Sequence, residues 1–199
     1  MKGKRTVGNL LWIDLETTGL SPENNQILEC AVAATTQDLD FIFGEAWLIE
    51  TDVDATMGRA SDVVISMHDT NGLWNDLLDP EKPKTPAASL CALLSDFARE
   101  NLCVQCVDGN GPWRSPLCGF SPHFDRAFLR VHTPSFLQLV SHRNVDISTL
   151  VQLGDWWFTS PTPKQPSNHR ATDDVLASID ALKWIRAHRF NPHGRRVAK

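Results

Sequence analysis

Apolar and polar positions divide the chain into a strand-rich opening and an alternating remainder. Runs over Leu10–Leu15, Ile27–Ala34 and Phe41–Ile49 have strand length and residue type, and the stretches GLSPENN and TTQDLD separate them with turn residues. Three such runs in succession predict an antiparallel meander. Pro80–Pro86 (PEKPKTP) reads as a loop, and Ala87–Leu102 as a helix with Leu90, Leu93, Leu94 and Phe97 on one side. Ser115–Phe120 predicts a short strand and Pro122–Val131 a helix. RNVDIST predicts a strand entering a helix, with Asp146 or Ser148 near its cap. Gly154–Asn168 reads as loop-rich, with Trp157 a core residue closing it. The last helix is the clearest, because Ala171, Val175, Ile179, Leu182 and Ile185 recur at helical spacing, continuing to about Arg189. Strands first, then alternating helices and strands, predict an α/β domain with a mixed sheet.

Composition narrows the class. A chain of 199 residues, 42% hydrophobic and 22% charged, suits one domain with a substantial core. No apolar run is long enough to cross a membrane, and no secretory segment follows the basic start Met1–Arg5, so a cytoplasmic, membrane-free protein is expected. Five cysteines, an odd number spread over a chain too large to need staples, are expected as reduced thiols. A net charge of −5 excludes a generally basic nucleic-acid binder. The exception is the C-terminus, where Arg186, Arg189, Arg195, Arg196 and Lys199 cluster; a solvated tail from about residue 190 is expected, within a single domain over 1–199.

Chemistry enters at LLWIDLETTGL. Side chains two apart on a strand share a face, so Asp14 and Glu16 project together from the end of an apolar strand. Adjacent carboxylates repel and resist desolvation unless a positive charge sits between them. Asp125 in GFSPHFDRAFL and Asp174 in HRATDDVLASI extend the acidic set. Four carboxylates in one cleft would suit hard cations, and two magnesium or manganese ions about 4 Å apart can clamp a phosphodiester displacement. His169 is a suitable proton acceptor for a nucleophilic water. Residues five apart on a continuous helix point about 140° away from each other, so His169 and Asp174 converge only if His169 lies on the loop or first turn. Each residue also has a plainer reading. Asp14 and Glu16 could mark a solvated strand end, and Asp125 could pair with Arg126 or Arg130 on an exposed helix. Asp174 could be a first-turn charge, a role Asp173 could share, and His169 a loop or capping histidine.

Taken together, LLWIDLETTGL, PLCGFSPHFDRAFL, HRNVDISTL and HRATDDVLASIDALKWIR resemble the oligoribonuclease family in order and over most of the chain. That family belongs to the DEDD 3′→5′ exonucleases with a catalytic histidine. The resemblance implies a ribonuclease-H-like fold, here a mixed five-stranded sheet flanked by helices. It makes Asp14, Glu16, Asp125 and Asp174 the ligands of two divalent cations (Mg²⁺ or Mn²⁺) and His169 the general base. It assigns Leu20 as the wedge between two bases, His68 as a base-stacking or gating histidine, and Ser121 as a neighbour of the scissile nucleotide. Arg143 and Ser148, with His142 where the family has a tyrosine, match a cap on the 5′-phosphate of very short RNAs. Part of that cap comes from a partner subunit in the family, so a homodimer acting on short single-stranded RNA, especially dinucleotides, is implied.

The chain also departs from the pattern. It has no tyrosine, and an expected aromatic five positions before His68 is Val63, so one stacking surface is either lost or supplied by Trp74. The segment before the third ligand strand is longer than the family's, and Phe120 and Phe124 stand where polar residues are usual. Three other readings remain open. One is a relative that trims longer RNA or single-stranded DNA 3′ ends. A zinc module could use Cys103, Cys106, Cys118 and His123. A catalytically silent RNA binder is the third, though it would have little use for repelling carboxylates.

Overall fold

The computed structural model describes residues 8–102, 107–108, 111–112, 114–159, 161–163 and 168–190. Its meander is the one expected, with β1 (Leu10–Thr17), β2 (Ile27–Thr35) and β3 (Phe41–Ile49) paired antiparallel. Every residue of β2 is buried, because apolar layers cover the sheet on both faces.

The chain then runs through three short helices that the apolar pattern does not predict, α1 (Val53–Met57), α2 (Asp62–Thr70) and α3 (Leu73–Leu78). Local capping starts the first two: the Asp52 carboxylate accepts the Ala55 N–H, and the Ser61 hydroxyl accepts that of Val64. Gly72, at φ 78°, breaks the chain between α2 and α3 in a conformation that glycine adopts at little cost. A two-residue strand, β4 (Lys84–Thr85), adds to the edge of β3, so the sheet has one short strand beyond the five expected.

Helix α4 (Leu90–Asn101) follows a 3₁₀ turn at Ala87–Ser89 and buries Leu90, Leu94 and Phe97. A small hairpin, β5 (Val107–Asp108) with β6 (Gly111–Pro112), lies in the longer segment. Then come β7 (Leu117–Gly119), α5 (Pro122–His132), β8 (Asn144–Asp146), α6 (Ile147–Trp157) and α7 (Ala171–Ile185), which continues as a π-helical turn to Phe190. The sheet order is β4-β3-β2-β1-β7-β8, with β7 parallel to β1 and β8 parallel to β7. On one face Leu11, Ile13 and Leu15 pack with Leu94, Phe97, Phe128 and Leu129 of α4 and α5. On the other, Trp12 packs with Val175, Ile179 and Ile185 of α7. No helix among the described residues is long and apolar enough to cross a membrane.

Two expectations need correcting. Gly154–Trp157 is the last turn of α6 and not loop, and Trp157 is not core: Trp156 and Trp157 are 67% and 70% exposed. The buried positions of α6 are Ile147 and Gly154, and the two tryptophans fall beyond that stripe. Of the zinc set, Cys103 and Cys106 lie outside the described residues, as does the tail at 191–199. Cys118 is packed under α7, where burial pushes its thiol far up and disfavours the thiolate a zinc ion needs, while His123 is exposed.

Candidate active site

The site grows from strand alternation. Trp12, Asp14 and Glu16 share the α7 face of β1, and the register sets Asp14 opposite Ala31 and Glu16 opposite Glu29 of β2. Glu16 is only 5% exposed. On the other side β7 closes tightly: a Cβ at Gly119 would lie 2.8 Å from the Ile13 carbonyl oxygen, a clash that no L side chain avoids. The chain then turns through Ser121, at φ 52°, into α5 with Pro122 in its first turn. Asp125, in the first turn of that helix, is carried over the end of β1 and is 3% exposed. It is therefore not the exposed helix carboxylate of the plainer reading. Arg126 is engaged with the Asn144 side chain and the Ser141 and Arg143 carbonyls instead.

Asp174 lies in the first turn of α7, and His169 precedes that helix in the left-handed region at φ 56°. This off-helix conformation removes the angular conflict between positions five apart. Ligand atoms of Glu16, His169 and Asp174 all lie within 4.8 Å of one another.

The carboxylates raise one another's protonation. Burial, then the charges of Asp125, Asp174 and Glu29, hold the Asp14 carboxyl well above the usual range. Burial with Asp14, Asp174 and Glu29 pushes Glu16 up to about 9, against the lowering effect of Arg170. Burial raises Asp125 to about 7, opposed by hydrogen bonds from its own backbone and that of Leu15. Such a set is stable as anions only beside added positive charge, and a set of carboxylate oxygens suits a hard divalent cation.

The sign of the resulting pH dependence is fixed. Groups whose folded pKa is raised hold protons that the unfolded chain, with carboxylates near 4, has already released. Their stabilisation is complete below that value and is lost as pH rises through about 7 for Asp125 and about 9 for Glu16. Thermal melts of metal-free protein should therefore show a midpoint falling between about pH 5 and 9. Saturating magnesium or manganese should raise it most at the alkaline end, by roughly 5 °C or more. A flat profile with no response to metal would contradict this electrostatic account.

Sequence reasoning missed the ion network behind the site. Arg170 forks onto Glu29 through Nε at 3.1 Å and Nη2 at 2.9 Å, and also reaches Asp76 at 2.8 Å. Glu29 accepts the Ala171 N–H as well, at 2.9 Å, so one buried carboxylate anchors the start of α7. The available signal was a lone glutamate inside the otherwise apolar ILECAVAA and an arginine directly after His169.

Leu20 is 83% exposed just past the end of β1. Ser121 and Ser148 share a hydroxyl–hydroxyl bond of 3.0 Å, and the Asp146 carboxylate accepts both their backbone N–H groups, at 3.1 and 2.9 Å. His142 and Arg143 are exposed on the approach to β8. His68 does not sit where stacking on a base would need it. It is fully buried, its Nε2–H donates to the Thr17 carbonyl at 3.1 Å, and Nδ1 lies 3.9 Å from Glu16. Burial lowers its pKa, so this histidine is a neutral strut under the acidic cluster. Trp74 packs edge-on against it, buried, and so offers no replacement stacking surface, while Val63 is exposed. Two openings flank the carboxylates. A cleft of 590 Å³ is lined by Asp14, Phe120, Val151, Asp155, Thr162 and Asp174, and a groove of 650 Å³ by Val63, Met67, Asn71 and His169.

Comparison with known proteins gives consistent relationships. Residues 11–182 match the RNase_T family, described as exonuclease. An oligoribonuclease from Thiobacillus denitrificans is 31% identical over 182 residues, covering 90% of this chain and 94% of its own. One from Mannheimia succiniciproducens is 33% identical over 186 residues, covering 90% and 92%. The mitochondrial oligoribonuclease of Mus musculus is 31% identical over 191 residues, covering 94% and 76%. Among solved structures, a moderately thermophilic exonuclease I from Methylocaldum szegediense superposes with a TM-score of 0.65 at 16% identity, over 92% of this chain and 42% of that one. The zinc-bound form of the E. coli exonuclease I complex with single-stranded DNA gives 0.64 at 14%, over 93% and 41%. At that identity the likeness is one of fold, and this chain spans less than half of either exonuclease I chain.

Proposed function

This chain belongs to the oligoribonuclease family of RNase_T exonucleases, and from that premise we propose that it hydrolyses short single-stranded RNA from the 3′ end to 5′-mononucleotides. The observation that carries this reading is the convergence of Glu16, His169 and Asp174 beside Asp14 and Asp125. Asp14, Glu16, Asp125 and Asp174 would hold two divalent cations, magnesium or manganese. Bound there, the cations supply positive charge to the attacking and leaving oxygens of the phosphodiester. His169 takes the proton of the attacking water on an imidazole nitrogen, since an exposed ring at the mouth of the cluster can pass it on to solvent. Leu20 offers an apolar blade between two bases at low desolvation cost. Arg143, with the Ser121–Ser148 pair fixed by Asp146, makes a charge-assisted anchor for a 5′-phosphate. The cap is completed in a homodimer, and residues 1–199 act as one catalytic domain with a basic tail from about residue 190.

A capped 5′ end measures length, because a dinucleotide satisfies both the anchor and the cluster. Arg143→Ala should therefore reduce kcat/KM for a 5′-phosphorylated dinucleotide by roughly 10- to 100-fold, equivalent to losing a charged hydrogen bond of about 1.5–3 kcal/mol. The loss on a heptamer of the same bases should be several times smaller; equal losses on both would remove Arg143 from the cap.

One observation favours a second reading, the trimming of longer 3′ ends. Buried His68 and Trp74, with Val63 in the open groove, leave fewer stacking surfaces to define a two-base pocket. Turnover of a 5′-phosphorylated RNA dinucleotide, the matching heptamer and the DNA dinucleotide, at matched concentrations in magnesium and in manganese, separates the two. Preference for the RNA dinucleotide supports the first reading, and equal or faster heptamer cleavage transfers the assignment to the second.

A further inference from the structure

His169 holds a backbone conformation that needs support. A non-glycine residue in the left-handed region is strained, and it persists only where its surroundings over-determine it. Its neighbours are tied down on both sides. Asn168 donates to Asp173 at 2.6 Å and accepts the Arg170 N–H at 3.2 Å, while Arg170 is clamped by Glu29 and Asp76. The bond that reaches residue 169 itself comes from 98 residues away: the Asn71 side-chain amide donates to the His169 carbonyl.

Asn71 is well placed to hold it. It closes the C-terminus of α2, and its Oδ1 accepts the Leu73 N–H at 2.9 Å, so the amide plane is fixed from its other end. Its Nδ2 also lies 3.5 Å from Nδ1 of His68, the strut beneath Glu16. One amide thus joins α2, the His68 ring and the turn that carries the exposed imidazole.

We infer that Asn71 is a positioning residue for His169, holding the left-handed turn that brings the imidazole to Glu16 and Asp174. The inference rests on the reading of His169 as proton acceptor. Asn71 lines the groove beside His169, and the role inferred for it is exerted through the backbone of residue 169. A misplacement of about 1 Å in a catalytic group can cost on the order of 100-fold in rate, so loss of this tether is felt in kcat rather than in KM.

Two variants with opposite side effects test it. Asn71→Asp keeps an acceptor for Leu73 but loses the donor to His169, and Asn71→Ala is neutral but loses both. Each should lower kcat by roughly 10- to 100-fold with KM within about twofold. In the His169→Ala background neither should lower turnover further, because a residue that acts only through the imidazole has nothing left to position. In metal-free protein, the amide-to-Hα coupling and Cα shift of residue 169 should leave the left-handed range in both variants. Wild-type kcat in either folded variant, losses that multiply with His169→Ala, or unchanged signals at residue 169 would each overturn the inference. Near-full activity of His169→Ala alone would instead remove the proton-acceptor reading on which it stands.

Discussion

Asp14→Asn should lower turnover by roughly three orders of magnitude or more while leaving the metal-free protein at least as stable as the wild type at neutral pH. The two halves have one cause. Asp14 lies at the centre of the acidic cluster, and its charge is opposed by burial and by Asp125, Asp174 and Glu29. An amide of nearly the same shape relieves that repulsion and keeps the packing around Trp12 and Ala31. The same change removes a carboxylate from the proposed cation ligands, and should take several kcal/mol of transition-state charge stabilisation with it; about 4 kcal/mol is a thousandfold. Single-turnover kinetics, with melts in chelator and in added magnesium, would measure both. The melts should show a smaller metal-induced shift than in the wild type. Activity close to wild type, or an undiminished metal shift, would end the assignment of Asp14 as a ligand.

Arg170→Met should destabilise the fold by about 2 kcal/mol, lowering the thermal midpoint by roughly 4–8 °C for a chain of this size. Removing one member of a fully buried pair costs about 3–5 kcal/mol. The lower figure allows for solvent reaching the Arg170 side chain, which is 23% exposed, whereas Glu29 is nearly closed off at 6%. The methionine fills the space of the aliphatic stem but leaves Glu29 buried, charged and directly across the ladder from Glu16. Combining it with Glu29→Gln should recover part of the loss, since the stranded charge is what makes the single change costly. Urea unfolding of the two single variants and the double variant would read this. An unchanged midpoint in Arg170→Met would mean that the network adds nothing to stability.

The parts of the molecule that could be read from sequence are those governed by period. Alternation along β1 put Asp14 and Glu16 on one face, and helical spacing marked α7 from Ala171 to Ile185. Spacing even constrained the one conformational question at the site, because His169 could meet Asp174 only from outside the helix. The first two short helices after β3 escaped because capping by Asp52 and Ser61 starts them, and α2 has no buried stripe beyond His68. Trp157 was misjudged because large aromatic surface suggests a core, whereas the tight stripe of α6 ends at Gly154. The Glu29–Arg170–Asp76 network and the Asn71 tether join residues far apart in sequence, and no local pattern encodes such partnerships. His68 shows a related limit: similarity placed it near the site, but only the packing of Trp74 and the Thr17 carbonyl fixed its orientation.

The bare seam at Gly119 bears on mechanical tolerance. Where two strands are spaced by side chains, rotamer hops and soft methyl contacts let the gap breathe. Between Gly119 and the Ile13 carbonyl there is no room even for a Cβ, so main chain meets main chain. Main-chain contacts have no rotamers to change, and their repulsive wall is steep. The seam therefore acts as a hard stop rather than a cushion, setting the gauge between the strand that carries Asp14 and the turn that leads to Asp125.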